Sequence, residues 1–332
     1  MSALRDHRSG LSPISNVLLF VFCVSAQAQP PANIPHVGFL SASTASSFLD
    51  NTESFQRGLR ENGYEPNKNI VIEYRFAEGN ADHLGELAND LVRRKVSIIV
   101  TAGPQATRAT KEATSVIPTV MAQDNDPVGA GYAMSLARPG GNITGLSQMG
   151  PDIVGKQLEL LKEVVPHLSQ VAVVANFTRP GTEGELKKLE AIARELNLQL
   201  HVLNVPVAMS VETAFRTARQ ERDGACLGLT NAALFSQRSR IAELAIKSRL
   251  PLMYSSHEWA EAGAVMSYGT NSGDLYRRVA IYVDKILKGA KPGDLPIQQP
   301  TKFDFLINLK TAKQIGLTIP PNVLARADRV IR

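Results

Sequence analysis

Val37-Gly38-Phe39-Leu40 and Val171-Ala172-Val173-Val174 are two short apolar runs, each followed by a polar loop and then by a segment with helical spacing. A brief, unbroken apolar run bounded by turn residues reads as a strand buried on both faces. Such a run leading into a helix is the unit of a parallel sheet. Because the chain opens this unit twice, the predicted fold class is α/β, with two Rossmann-like lobes each built on a parallel sheet.

Working outward from the first run, residues 48–62 carry Phe55 and Leu59 at helical spacing, and Gly63 stops them. Residues 70–76 alternate as a strand does, and residues 83–94 place Leu84, Leu87, Leu91 and Val92 on one helical face. Strand 96–101, a helix from about Gln105 and strand 117–121 complete the first half. The second run begins the same rhythm: helix 183–196, strand 199–205, helix 211–220, strand 225–229, helix 238–248, and strands at 252–254 and 264–268. The amphipathic helix 274–287, strand 303–308 and short helix 309–315 then break the alternation. One helix and one strand are too little for a third domain, so these pieces must be added to the two existing lobes.

The front of the chain reads differently. Residues 1–28 have basic Arg5 and Arg8, an apolar run at 17–24, and Ala26-Gln27-Ala28 as a small-residue cleavage site, the pattern of a secretory signal. Its apolar part is shorter than the roughly 20 residues a membrane span needs. Cys23 sits near its end, but bulky Val21 and Phe22 stand where a lipoprotein signal wants small residues, so no lipid anchor is expected. Cleavage leaves Cys226 alone in an apolar stretch, which reads as a buried, inert thiol without a disulfide. It also lowers the net charge from +5 to +4, since Arg5, Asp6 and Arg8 leave together. The remaining charges are mixed in sign, with no basic stripe interleaved with aromatics, so nucleic acid is a poor partner.

In an open parallel sheet, ligands bind beyond the carboxyl ends of the strands. The loops there hold Ser41 and Ser43, then Gly103, Pro104 and Gln105, then Asp126 in the first half. In the second half they hold Asn176, Asn231, Tyr254 and Glu258. Hydroxyls, amides, carboxylates and an aromatic ring suit a small polar solute. Each has an ordinary alternative. Ser41 and Ser43 could cap a helix, Asp126-Pro127 could be a turn, and Asn176 and Asn231 could be turn residues. Tyr254 could be a core aromatic, and Glu258 a solvated helix residue. Recurrence at one end of successive strands favours the site.

Motifs for chemistry fail on inspection. Residues 150–157 copy the spacing of a phosphate-binding loop, but Gln157 replaces its Ser or Thr and Pro151 removes a cradling N–H. Met134 stands where a dinucleotide fingerprint after Gly129 and Gly131 needs its third glycine. No G-x-S-x-G nucleophile elbow is present, and the six histidines are dispersed without metal-ligand spacing. A binding protein is expected rather than an enzyme, with neither cofactor nor metal.

Several motifs also carry a family resemblance: Asp126-Pro127-Val128-Gly129-Ala130, Gly141-Asn142-Ile143-Thr144-Gly145, Leu229-Thr230-Asn231, Ala262-Gly263-Ala264-Val265 and Tyr268-Gly269. The most characteristic is the ending Ile307-Asn308-Leu309-Lys310-Thr311-Ala312-Lys313, with Gly316 and Ile319-Pro320-Pro321. In their order and spacing, residues 34–332 resemble the substrate-binding proteins of ABC transporters in the tryptophan/tyrosine-type family, a branch of the type I periplasmic binding proteins. The resemblance implies two lobes joined by a three-strand hinge, crossed after Gly145, near residues 268–271 and near residues 296–302. Its implied organisation is a signal peptide at 1–28, an N-terminal lobe of 34–145 and 270–298, and a C-terminal lobe of 146–269 and 299–332. It places the cleft on the ten strand-end residues above, from Ser41 to Glu258. The loop Asn176-Phe177-Thr178-Arg179-Pro180 departs from the family's commoner Asn-Pro form.

The function implied is that of a periplasmic receptor, acting as a monomer, that closes on a solute and delivers it to an ABC permease coupled to an ATPase. An amino acid or small aromatic carboxylate is the preferred solute, with Asp126 or Glu258 taking an amine. A sugar- or nucleoside-binding receptor and a sensory module for a membrane receptor are the alternatives.

Overall fold

The computed structural model describes residues 34–205, 211–229, 232–300 and 302–332. The signal read at 1–28 and Asn231 lie outside these residues.

The first sheet is laid down by β1 (His36–Ser41), α1 (Leu49–Glu61), β2 (Val71–Phe76), α2 (Leu84–Arg93), β3 (Ile98–Ala102), α3 (Pro104–Ala113), β4 (Thr119–Asp124) and β5 (Ile143–Ser147). Its strands run parallel in the order β2-β1-β3-β4-β5. β3 is buried along its whole length, as a strand covered by helices on both faces must be. One face packs Phe39, Phe55, Leu59 and Val100, and the other Leu40, Leu84, Leu91 and Ile99.

The second sheet follows α4 (Gly150–Val164) and uses β6 (Gln170–Ala175), α5 (Thr182–Glu195), β7 (Gln199–Asn204), α6 (Val211–Gln220), β8 (Ala225–Gly228), α7 (Ala232–Phe235), α8 (Arg238–Lys247), β9 (Leu252–Tyr254), α9 (His257–Ala262) and β10 (Met266–Thr270). Then come α10 (Ser272–Leu287), β11 (Phe303–Asn308), α11 (Leu309–Ile315), α12 (Pro321–Leu324) and β12 (Arg329–Ile331). The strand order is β12-β11-β10-β9-β8-β6-β7. From β7 to β10 it repeats the first sheet's plan, and each sheet reverses its order beside its first strand, the switch point where such folds bind ligands. β11 and β12 are added at the edge, antiparallel to β10 and parallel to each other. The protein is therefore an α/β fold of two Rossmann-like lobes, the type I periplasmic binding protein fold.

Three passages of chain tie the lobes. The first and third run side by side: Ser147 donates its N–H to the Gln298 carbonyl, and Gln298 donates back to Gly145. The second leads from β10 into α10, which leaves the second sheet and packs along α1 of the first. Gly58 permits that approach, because a methyl group there would strike the Arg277 carbonyl. β11 then returns to the second sheet. Residues 150–157 form the start of α4, not a phosphate-binding loop. Lys156 is paired with Glu159 at 2.7 Å, and Gln157 donates to the Tyr268 carbonyl at 2.7 Å. Among the described residues, no helix is long and apolar enough to cross a membrane.

Candidate functional site

β3 ends in Ala102, and the chain turns at Gly103, whose φ of 91° is open to glycine but strained for other residues. Pro104 then starts α3 without losing a needed hydrogen bond. The turn points the N-terminus of α3 at a cavity between the lobes. From the first lobe Phe48, Asn51, Ala102 to Gln105, Gln123 and Ser272 line it; from the second come Arg179, Phe235, Ser255, Ser256 and Trp259. It is a narrow slot, a cavity of about 40 Å³.

Three aromatic rings make its apolar wall. Phe48 meets Phe235 edge-on across the gap, ring centres 6.2 Å apart, and Phe235 meets Trp259 edge-on at 6.4 Å. Trp259 is stacked flat on Tyr254 at 3.6 Å, which fixes the indole from behind. Arg238 lies over the Phe235 ring at 4.5 Å.

The polar wall holds groups without partners. Gln105 is 4% exposed and its Nε2 has no acceptor. Arg179 is 3% exposed and its Nε has none either. Its terminal nitrogens grip Glu185, Nη2 to Oε2 at 2.5 Å and Nη1 to Oε1 at 3.3 Å. Glu185 in turn accepts from Asn125 of the first lobe, which accepts from Gln148 of the hinge. A chain of hydrogen bonds thus runs between the lobes. A second interlobe bond joins Arg108 to the Thr178 carbonyl at 3.2 Å. Beside this network Asp124 is wholly buried. Burial pushes its carboxyl up to about 7, against the pull of the Thr107 hydroxyl, the Arg179 guanidinium and neighbouring amides.

Of the residues expected from the sequence, Gly103 and Gln105 line this cavity. Ser41, Ser43, Asp126, Asn176, Tyr254 and Glu258 are not on its wall. The Ser41 hydroxyl accepts from the Ser43 N–H at 3.1 Å, and the Ser43 hydroxyl lies 3.1 Å from that of Ser47, so the loop bonds to itself. Asp126 accepts from the Gly129 N–H at 2.8 Å; it is the turn residue of the Asp-Pro pair and borders a separate surface hollow with Lys188 and Gln299. Asn176 closes a turn by accepting from Thr178 at 2.9 Å, and so shapes the loop that carries Arg179. Tyr254 is a core aromatic under Trp259, its hydroxyl without a partner. Glu258 is buried, 3.6 Å from His257. Burial, and then the Glu258 carboxylate, push the Tyr276 hydroxyl of the first lobe well above its usual range.

Phe48, Asn51, Arg179, Phe235 and Ser272 are among the wall residues the strand-end rule did not single out. Arg179 had a signal: a long cation in a post-strand loop, with an acid in the following helix's first turn. Cys226 is buried, and burial pushes its thiol up. Among the described residues no cluster of His, Cys, Asp and Glu could hold a metal ion.

Comparison with known proteins agrees with this architecture. The family model of ABC transporter substrate binding proteins matches residues 39–331, and the chain belongs to that family. This is a family of solute receptors, not of enzymes. A tyrosine-binding protein of Clostridioides difficile strain R20291 is 24% identical over 265 residues, covering 80% of this chain and 76% of the relative. A conserved domain protein of Vibrio cholerae O1 biovar eltor superposes with a TM-score of 0.84 and 28% identity, over 90% of this chain and 99% of that one. The structure of an ABC domain in complex with L-Trp from Streptococcus pneumonia gives 0.83 and 25%, with the same coverage.

Proposed function

We propose that this chain is the exported receptor of an ABC importer. Its two lobes, divided at the hinge as the sequence suggested, close on a small aromatic acid, an aromatic amino acid foremost. It then presents the solute to a membrane permease coupled to an ATPase. The observation that carries this reading is the interlobe slot walled by Phe48, Phe235 and Trp259, with the buried unpartnered donors of Gln105 and Arg179 also on its lining. Flat apolar walls suit a planar ring, and convergent N–H groups suit an anionic or amide end. A tyrosine-binding relative and an L-Trp complex among similar structures support the same ligand class. Neither of the two carboxylates assigned to a ligand amine, Asp126 and Glu258, lines the slot, so neither is given the ligand's amine in this reading. In this reading the signal at residues 1–28 directs the chain to the periplasm, where it works as a monomer.

A thermal-shift series tests this reading. L-Tryptophan, L-tyrosine and 4-hydroxybenzoate should raise the melting temperature with concentration, and sugar alcohols and nucleosides should not. Stabilisation by sugars alone would move the receptor to another solute class. Loss of uptake on deleting the chain supports import, whereas lost signalling with normal uptake would make it a sensor.

A further inference from the structure

The Arg179 guanidinium carries five N–H donors in a planar fork, and the cleft uses them unevenly. Glu185 takes the end-on pair from Nη1 and Nη2, and Nη1 also reaches the Pro180 carbonyl at 3.4 Å. This leaves the Nε–H and the outer Nη2–H, which point the same way and are spaced to fit the two oxygens of one carboxylate. Nε is buried and has no acceptor, although leaving a buried charged donor unmet is costly. The same cavity receives the Nε2 of Gln105, also buried and unmet, and the start of α3, whose N-cap Gly103 offers no side-chain cap. First-turn N–H groups there have no acceptor within the helix, and the helix dipole favours an anion.

We propose that Arg179 is the residue that selects for a carboxylate on the ligand, with Gln105 and the α3 N-terminus completing the anion site; this rests on reading the slot as an aromatic-acid site. Glu185 is a positioning residue. It balances the guanidinium charge in the empty cleft and turns the unused side of the fork toward the cavity. The ligand ring then lies against Phe235 and Trp259, on the same lobe as Arg179. A ligand that keeps the ring but lacks the carboxylate leaves that fork unmet, and the cleft rejects it.

Calorimetric titration of the full chain with L-tryptophan, L-tyrosine and L-tryptophanamide tests the assignment. The wild type should bind L-tryptophan at least about tenfold more tightly than its amide. Removing Arg179 alone strands a buried Glu185, so the pair is replaced together, as Arg179→Met with Glu185→Met, a change that buried ion pairs often tolerate. That double variant should lose roughly 30-fold or more for L-tryptophan, while its affinity for the amide changes less than about threefold. Arg179→Lys keeps the charge without the fork and should still lose about tenfold for the acid. A folded double variant that binds L-tryptophan as the wild type does overturns the assignment and leaves the aromatic cleft standing. A wild type that binds no aromatic acid or amide brings down both.

Discussion

The loops after β1 and β3 leave neighbouring strands of one sheet at the same edge, yet they do opposite things. After β1, Ser41, Ser43, Thr44 and Ser47 spend their hydroxyls on one another and on nearby backbone, with Thr44 accepting from the Ser47 N–H at 3.2 Å. After β3, a glycine turn and a proline bring Gln105 to the interlobe slot with its amide N–H groups unmet. Position at a strand's carboxyl end is thus not enough for a place on the slot's wall. What separates the two loops is whether the polar groups find partners within the loop itself. In the second lobe the contrast is less sharp: Asn176 Oδ1 accepts from its own turn, but its buried Nδ2, like Arg179 Nε, has no acceptor.

The largest expected effect sharpens this contrast at the end of β4. Asp124 is buried, and its carboxyl rises from 3.8 to about 7 on folding. The unfolded chain gives up the proton near 4 and the folded chain keeps it until about 7. Asp124 therefore penalises stability increasingly as pH rises through that window, by roughly 4 kcal/mol in full. Asp124→Asn should match the wild type in denaturant unfolding at pH 4 and exceed it at pH 8. Equal differences at the two pH values would show that the carboxyl is not held protonated by burial.

Next in size is Gln105→Ala, which should weaken binding of L-tryptophan by about tenfold in calorimetry, with little change in melting temperature. A variant that loses stability but not affinity would make Gln105 a structural residue like Ser41. Ser41→Ala should do the reverse: about 1 kcal/mol of stability lost in urea unfolding, and ligand affinity unchanged within twofold. Smallest of all is Asp126→Ala. It removes a turn hydrogen bond at the surface and should cost under about 1 kcal/mol, with no change in binding. A tenfold affinity loss there would return Asp126 to the site.

Much of the fold was legible because apolar runs and helical spacing repeat in β1 to β4 and again from β6 to β10. The helix α4 was hidden by Pro151 and Gly155, which read as loop. Pro151 instead opens the helix, and Gly155 makes room for Ile192 of α5. β12 is three residues long and, among the described residues, pairs with β11 alone, too short for any periodicity to show. At the site, Gly103 and Gln105 were readable from the strand-end rule. Arg179 was passed over because its loop was judged by what it lacked, and Phe48 and Phe235 because a lone Phe in an amphipathic segment reads as core. Their role depends on lobes meeting across a gap, which no local pattern encodes.

The most direct test of the aromatic-acid cleft is a titration of the wild-type chain with L-tryptophan and L-tyrosine at several temperatures. One-to-one binding with a negative heat-capacity change, the mark of apolar surface buried as the slot fills, is the expected result. Binding without that change, or no binding to any aromatic amino acid while a sugar or polyol binds, would contradict it.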